Sequence, residues 1–147
     1  MAINAPIAVD TALYSRLSGD ATLVALLPGG IHNLEAPHDA NQVLADFPLL
    51  VFQMLPTTDE YVLGQDAVAV ENMPYIFRAG SRGNDESVVH TILDRVHTLL
   101  QGYALSVTGY GLITLHRTGR GNIIPVSEYG ITYLQGTTRY AIEVQPT

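Results

Sequence analysis

The sequence predicts an α+β protein: a mixed, largely antiparallel sheet packed by one long amphipathic helix, with two short N-terminal helices before it. Three patterns predict this class. They are a helical stripe of apolar residues within Asn84–Gln101, the apolar run Leu49–Leu55, and the alternating C-terminal segment Thr137–Gln145. Because such a helix and such strands each carry an apolar face, they have to pack against one another in layers.

The chain has 147 residues, which is the usual size of one domain. No linker, internal repeat or low-complexity tract divides it, so we expect residues 1–147 to form a single domain. Charged residues make up only 14% of the chain, against roughly 25% in typical soluble domains. A surface this poor in charge is typical of a subunit that covers part of itself with neighbours, although a neutral soluble surface has the same composition.

Two short helices are predicted at the N-terminus. Val9, Leu13 and Leu17 recur at four-residue spacing, which predicts a helix over Ile7–Leu17. Asp20 is a natural N-cap for a second helix, which ends at the Pro-Gly-Gly sequence that follows it.

The middle of the chain is predicted to be extended. A surface loop begins with a brief strand at Ile31–Leu34, and Leu49–Leu55 is apolar on both alternating faces, which predicts a central strand covered on both sides. Residues 56–66 predict a polar hairpin that closes at a Gly-Gln-Asp turn. Ala67–Ala79 is a long strand, and Pro74 predicts a bulge or an edge within it because proline cannot donate a ladder hydrogen bond.

The clearest element is the helix predicted over Asn84–Gln101, with Asn84 or Asp85 as its N-cap and Gly102 at its end. Its apolar stripe holds Val88, Val89, Ile92, Leu93, Val96, Leu99 and Leu100. Its opposite face holds Ser87, His90, Thr91, Asp94, His97 and Thr98. One apolar and one polar face predict that the helix lies on a sheet or on other helices.

Strands alone are predicted after this helix. Tyr103–Thr108 alternates apolar and polar residues, and a glycine turn leads from it into Leu112–Thr118. The glycine-rich segment Gly119–Asn122 predicts a hairpin turn, and Thr137–Gln145 predicts a half-buried antiparallel strand at the end of the chain.

Composition limits the function. The formal net charge is −7, and the chain has seven arginines but no lysine and no cysteine. The excess of acidic over basic residues makes a phosphate-binding surface unfavourable. The lack of cysteine excludes disulfides, thiolate nucleophiles and cysteine-based metal sites. With no signal peptide and no apolar stretch long enough to span a bilayer, the chain is expected to be made in a cytoplasm, to stay there and to have no membrane partner.

The most enzyme-like cluster is His90, Asp94 and His97, whose spacings of four and seven place them on one helical stripe. Two imidazoles and a carboxylate there could hold a metal, which gives one hypothesis, a small metal-binding enzyme. A polar stripe that faces solvent or a neighbouring subunit explains the same pattern without a further ligand, and we favour that interpretation. The sequence therefore predicts no catalytic site and no cofactor.

Four arginines flank two predicted turns. Arg78 and Arg82 flank the turn before the long helix, and Arg117 and Arg120 flank the glycine-rich turn. We interpret them as interface or surface charges rather than as a nucleic-acid site. Together with the polar stripe of the helix they make up the predicted interface with other subunits or partners: Arg78, Arg82, His90, Asp94, His97, Arg117 and Arg120.

Short blocks along nearly the whole chain resemble the tail completion and tail terminator family of siphophages and related prophages. These blocks are Leu13–Leu23, Leu26–Ile31, Phe47–Val51, Tyr75–Arg78 followed by Gly80 and the long helix, and Arg139–Val144. The segments Pro56–Asp66 and Gly119–Gly130 are longer than the family pattern. The blocks are structural, and the family has no catalytic residues to transfer.

The resemblance implies a structural virion protein that caps the head-proximal end of a phage tail tube as a ring, expected to be a hexamer. Such a ring stops tube growth and joins the tail to the neck, or head-completion, proteins. Its partners would be copies of itself, the major tail tube protein and a neck protein, with viral DNA passing through the bore without specific binding. It would be found in the virion, at the neck region of the tail, and in the host cytoplasm during assembly. A head–tail adaptor and a tail tube subunit are the alternatives.

Overall fold

The structure is a computed structural model that describes residues 5–40, 43–56, 58–61, 68–128 and 130–147. Its elements in chain order are α1 (Ala5–Ser18), α2 (Ala21–Leu26), β1 (Ile31–Asn33), β2 (Leu49–Met54), β3 (Thr58–Tyr61), β4 (Val68–Ser81), α3 (Glu86–Leu100), β5 (Tyr110–Arg120), β6 (Ile124–Glu128) and β7 (Ile131–Pro146). The predicted α+β class is confirmed. None of the helices described is long and apolar enough to cross a membrane.

Two long antiparallel strands, β4 and β7, form the middle of one sheet, and their pairing runs from Glu71 opposite Val144 to Ser81 opposite Leu134. The outer side of β4 is lined first by β2 and then by β3. The outer side of β7 is lined in the same way by β5 and then by β6. β1 adds to β2 in parallel, so the sheet is mixed but largely antiparallel.

The helices cover one face of this sheet; the other face, called the open face below, is covered in part, where Leu49, Val51 and Tyr133 are buried. The helix-facing side chains of the central strands are fully buried, and α3 lies close to β7 at Gly136, where a Cβ atom would lie 2.5 Å from Val89 Cγ1. The core combines the following side chains from the sheet and from the helices: Leu50, Phe52, Tyr75, Phe77, Tyr140, Ile142, Val89, Ile92, Val96, Val9, Leu13 and Leu17.

The helix predictions are confirmed. Asp20 caps α2 by accepting a hydrogen bond from the Leu23 amide at 2.8 Å, and Asp85 caps α3 by accepting one from the Ser87 amide at 2.9 Å. The predicted apolar stripe of α3 is buried except for Val88, which is only half-buried because it lies at the border of the stripe.

The bulge or edge expected at Pro74 is not present on the β7 side of its strand. The pairing of β4 with β7 continues through Pro74, which lies opposite Ala141, without a register shift. The break lies instead in the strands on the other side of β4, between the end of β2 and the start of β3. Leu55 donates to the Pro74 carbonyl at 2.8 Å, which places the missing proline N–H beside this gap. β3 confirms a hairpin in the 56–66 region, and its predicted turn lies outside the described residues.

One strand prediction and one turn prediction are wrong. Residues 103–108 alternate in burial, with Leu105 and Val107 buried, but they form no ladder beyond one isolated bridge between Val107 and Tyr110. They lie against the helices instead of extending the sheet. The glycine-rich segment Gly119–Asn122 is not a hairpin turn either, since β5 and β6 both pair with β7 and follow one another along it. The hairpin lies later, between β6 and β7.

Candidate assembly surfaces

The seven side chains predicted to form an interface lie on separate surfaces. Their positions are the open sheet face for Arg78, the loop after β4 for Arg82, the outer side of α3 for His90 and Asp94, and the junction of α3 with β5 for His97, Arg117 and Arg120. Of the seven, the structure brings only the last three together.

His97 does not lie on the exposed stripe with His90 and Asp94, as the sequence predicted. Its Nδ1 atom is 2.9 Å from the Tyr140 hydroxyl, and its side chain is half-buried. The cause is the position of β5, which runs beside the C-terminal end of α3, where Gln101 Oε1 accepts a hydrogen bond from the Arg117 amide at 3.3 Å. The same helical stripe is therefore exposed at one end of α3 and enclosed at the other.

A β-bulge places Arg117 and Arg120 on one face of β5. Residues three apart in a regular strand point to opposite faces. Here the register shifts between Arg117 and Gly119, so that Arg117 lies opposite Tyr140 and Arg120 lies opposite Thr138. Tyr140 and Thr138 are two residues apart on β7 and share the helix-covered face, so both arginines belong to that face as well. We refer to Arg117 and Arg120 as the arginine pair.

The charge of the arginine pair acts on the groups beneath it. Burial lowers the pKa of His97, and Arg117 and Arg120 lower it further, while Asp94 has the opposite effect. Burial raises the pKa of the Tyr140 hydroxyl to about 12, with both arginines opposing that rise. Burial and the two arginines therefore disfavour the protonated form of His97. In the described part of the chain, neither arginine has an acidic side chain within ion-pair distance.

The open face of the sheet carries a second candidate surface. Phe47 and Tyr133 pack with ring centroids 5.1 Å apart above Gly80, where a Cβ atom would lie 3.2 Å from the Phe47 ring. Beside them Leu49 and Val51 are buried, which confirms that β2 is covered on both sides at its N-terminal end. The two aromatic rings form the floor of a groove rather than a closed core.

This groove has a volume of about 670 Å³ and combines an apolar floor with polar contacts, in which Arg78 Nη2 donates to Gln53 Oε1 at 2.5 Å and the Tyr133 hydroxyl donates to Glu128. Leu34 lies at its rim and is 62% exposed. Arg82 lies nearby, with its guanidinium 5.5 Å from the centre of the Phe47 ring. A groove with apolar rings at its floor and paired polar groups around them is suited to contact with another protein surface.

The helical side carries a third surface. Ile7 is 59% exposed and Tyr14 is 50% exposed, seven residues apart on α1. On the other side of α1, Arg16 lies 3.6 Å from the centre of the Tyr103 ring and donates through Nε to the Leu99 carbonyl at 3.0 Å. These contacts hold residues 103–108 against the helices.

Two polar contacts that sequence reasoning missed tie the helices to each other and to the sheet. Arg95 donates two hydrogen bonds to the Asp20 carboxylate, at 2.9 and 2.7 Å, and this ion pair holds the pKa of Asp20 down at about 2. The Tyr75 hydroxyl donates to Asp10 at 2.5 Å, and burial raises the pKa of Tyr75. The only sequence signal for either contact was a charged residue inside an apolar pattern. The four side chains of these two contacts are paired within the fold, and we assign both contacts a structural role.

The metal hypothesis for His90, Asp94 and His97 finds no geometric support. Within the residues that the structure describes, no three His, Asp or Glu side chains gather closely enough to hold a metal ion. His90 and Asp94 are exposed on α3, whereas His97 turns towards Tyr140. The three residues therefore do not form one site.

No protein-family model and no curated protein sequence matches this chain. Among solved structures, a similar chain comes from the virion of a native gene transfer agent (GTA) particle, with a TM-score of 0.66 and 14% identity. The alignment covers 97% of this chain and 99% of that chain. At this identity the likeness shows that the two chains share a fold, from the first helix to the last strand.

Proposed function

We propose that this chain is a structural, non-enzymatic virion protein that forms a ring at the head-proximal end of a phage tail tube. One observation carries the proposal, the likeness in fold along essentially the full length of both chains to a protein of a gene transfer agent virion. The proposed position at the head-proximal end of the tail tube comes from the sequence blocks that resemble the tail terminator family. Its partners are copies of itself in a ring that we propose to be hexameric, the tube protein below and a neck protein above.

The shape of the subunit supports a closed ring. Head-to-tail rings need two different surfaces on one subunit, because each contact joins unlike patches. The chain offers such surfaces, since the helices cover one face of the sheet and the groove formed by Phe47, Tyr133 and their neighbours lies on the other. The charge-poor composition reduces the cost of burying both.

The acidic balance supports the passage of DNA. A ring of subunits with a formal charge of −7 each repels phosphate on average, so viral DNA moves through the bore without sticking. The predicted interface residues, from Arg78 to Arg120, then belong to contacts between proteins rather than to contacts with nucleic acid. We propose the neck region of the virion as the location of the assembled ring.

Light scattering after size separation, together with negative-stain imaging, tests the proposal. We expect a ring, or an oligomer that forms with increasing concentration, and binding of that ring to the ends of tubes made by the tail tube protein of the same particle. A monomer at every concentration, without affinity for tube ends, would contradict it.

The same images separate the two alternatives. A tube subunit polymerises into long cylinders, whereas a terminator stops at one ring. A head–tail adaptor binds the head side of the neck and leaves tube growth unchanged. Measuring tube length with and without this protein therefore decides between the three roles.

A further inference from the structure

The arginine pair concentrates positive charge on an acidic protein. The bulge in β5 brings Arg117 and Arg120 onto one face, opposite two residues of β7 that lie two positions apart. Such positions are about 7 Å apart along a strand, so the two guanidinium groups can reach the same ligand. Both arginines also act on the ionisation of the same two groups beneath them, His97 and Tyr140. The two charges therefore act at one place on the surface.

The hydroxyl groups beneath the arginine pair are already used within the fold. The Tyr140 hydroxyl lies 2.9 Å from His97 Nδ1, and the Thr138 hydroxyl donates to the Gly119 carbonyl at 3.3 Å. Tyr140 and Thr138 are also almost completely buried. Contacts with a ligand therefore fall to the guanidinium N–H groups, which only donate and which fit the two oxygens of an oxyanion.

The subunit does not neutralise this charge itself. Among the residues that the structure describes, no acidic side chain lies within ion-pair distance of Arg117 or Arg120, whereas Arg95 is paired with Asp20. Asp94 acts on His97 from the same helix but forms no ion pair with either arginine. Two like charges held this close repel each other, and a bound anion removes that repulsion. The arrangement points to an anionic ligand from outside the subunit.

The surroundings favour a short acidic segment over a long polyanion. Arg117 is half-buried where β5 runs beside α3, and its backbone amide donates to Gln101 Oε1, whereas Arg120 is exposed at the end of the strand. The site is thus recessed on one side and open on the other, as a single carboxylate side chain requires. Screening limits its electrostatic contact to about 8 Å at physiological salt, but a duplex meets the net charge of −7 over a wide surface.

We propose that the arginine pair is a binding site for the carboxylate groups of an acidic segment of another protein, which accept hydrogen bonds from both guanidinium groups. The inference goes beyond the proposed ring, because the site is complete within one subunit. Only the assignment of the segment to another virion protein rests on the proposed function. Arg117 and Arg120 are the residues that contact the ligand.

Binding of a model peptide to the full chain tests the site. The probe is a labelled peptide of four glutamates with both ends blocked, and a four-glutamine peptide is its uncharged control. Fluorescence anisotropy measures the affinity for the wild type, for Arg117→Gln with Arg120→Gln, and for Arg139→Gln. Arg139 is a matched control because it is exposed, also has no acid within ion-pair distance in the described ranges, and lies on the other face of the sheet. Thermal unfolding checks that each variant folds.

We expect the glutamate peptide to bind and the glutamine peptide not to bind. The double variant should weaken binding by at least about tenfold, because two charge-assisted contacts are lost. Arg139→Gln should change the affinity by less than about twofold. Higher salt should weaken binding to the wild type.

The pKa of His97, measured by nuclear magnetic resonance, reports whether the peptide occupies this site. The charged or titratable groups that act on His97 are Asp94 on α3, Arg117 and Arg120 on β5, and Tyr140 on β7. Saturating glutamate peptide should raise the pKa of His97, because the bound anion offsets the two positive charges that lower it. The double variant should raise this pKa without peptide, and the peptide should then leave it unchanged.

Four outcomes would overturn the site. Equal affinity of the wild type and the double variant is one, and a His97 pKa that saturating peptide does not change is another. Inorganic phosphate and a short DNA duplex provide the other two. Binding of phosphate without binding of the peptide would make this a free-anion site, and tighter binding of the duplex, lost in the double variant, would assign it to nucleic acid. Because these measurements need no ring, failure of the ring and failure of this site are seen separately.

Discussion

At the scale of single residues, two glycines control how closely the layers pack. At Gly136, on the helix-covered face of β7, a Cβ atom would lie 2.5 Å from Val89 Cγ1 and 3.1 Å from Leu93 Cδ1. At Gly80, on the open face, the nearest atoms belong to the Phe47 and Tyr133 rings. In both places the missing side chain lets another layer lie directly on the backbone.

Gly136→Ala should lower the free energy of unfolding by about 1–3 kcal/mol, because the branched Val89 side chain has little freedom to move and α3 has to shift away from the sheet. Urea unfolding monitored by circular dichroism measures the change. Gly119→Ala is the matched control, since no atom lies within 4 Å of its added Cβ. Equal losses in the two variants would show that backbone freedom rather than the close approach of α3 sets the effect.

The ion pair between Asp20 and Arg95 sets a pH dependence. It lowers the pKa of Asp20 from its usual 3.8 to about 2 in the folded state. A carboxyl group with a depressed folded pKa stabilises the fold fully above its unfolded pKa. That stabilisation is lost as the pH falls from about 4 through about 2.

Asp20→Asn should make unfolding less sensitive to acid over that window, because the amide still accepts the Leu23 hydrogen bond but no longer titrates. Melting temperatures measured at several pH values between neutral and strongly acidic test this. The wild type should lose its advantage over the variant as the pH drops. A constant difference across the whole series would show that the ion pair does not contribute to the acid response.

At the scale of elements, a sequence alternation and a paired strand are separate properties. Residues 103–108 bury Leu105 and Val107, as an alternating strand does, yet their backbone joins no ladder. Arg16 holds this segment to the helical layer through its contact with Tyr103. In β5 the bulge places Arg117 and Arg120 on the same face of the sheet. The local sequence gives no sign of this bulge.

Amide hydrogen exchange distinguishes these two kinds of extended segment. The amides of Ser106 and Thr108 should exchange more than about tenfold faster than those of Tyr140 and Ile142, which lie in the central strand β7 between two partners. Nuclear magnetic resonance on uniformly labelled protein gives the individual rates. Similar protection at all four positions would mean that residues 103–108 pair as a strand.

At the scale of the whole molecule, charge is distributed unevenly along the chain and across the fold. The stretch from Leu17 to Phe77 contributes only acidic charges, and it supplies β1, β2, β3 and the start of β4. Six of the seven arginines follow in the second half. The first half of the chain is therefore acidic on balance, whereas most of the positive charge lies in the second half.

The net charge also predicts weak interaction with DNA. At roughly 150 mM salt, binding of a short duplex should be weaker than about 10⁻⁴ M, because the subunit repels phosphate overall. Fluorescence anisotropy of a labelled duplex measures this over a range of protein concentrations. Tight binding that weakens steeply with salt would contradict a bore that lets DNA pass freely.

Much of the fold could be predicted from this sequence, because local patterns decide the elements. The spacing of Val89, Ile92 and Val96 determined α3, the caps at Asp20 and Asp85 determined where helices begin, and the alternation in β7 determined its buried face. These features depend on residues within one or two turns of each other.

Only the tertiary structure decided which residues meet. In the folded chain His97 contacts Tyr140, β4 continues through Pro74, and a bulge places Arg117 and Arg120 on one face. Each outcome depends on a partner that is distant in the chain, such as β5 beside α3 or β7 opposite Pro74. A local sequence pattern does not identify that partner. The physical reason is that pairing register and layer contact are settled by long-range packing, whereas the sequence determines by itself which face of each element is apolar.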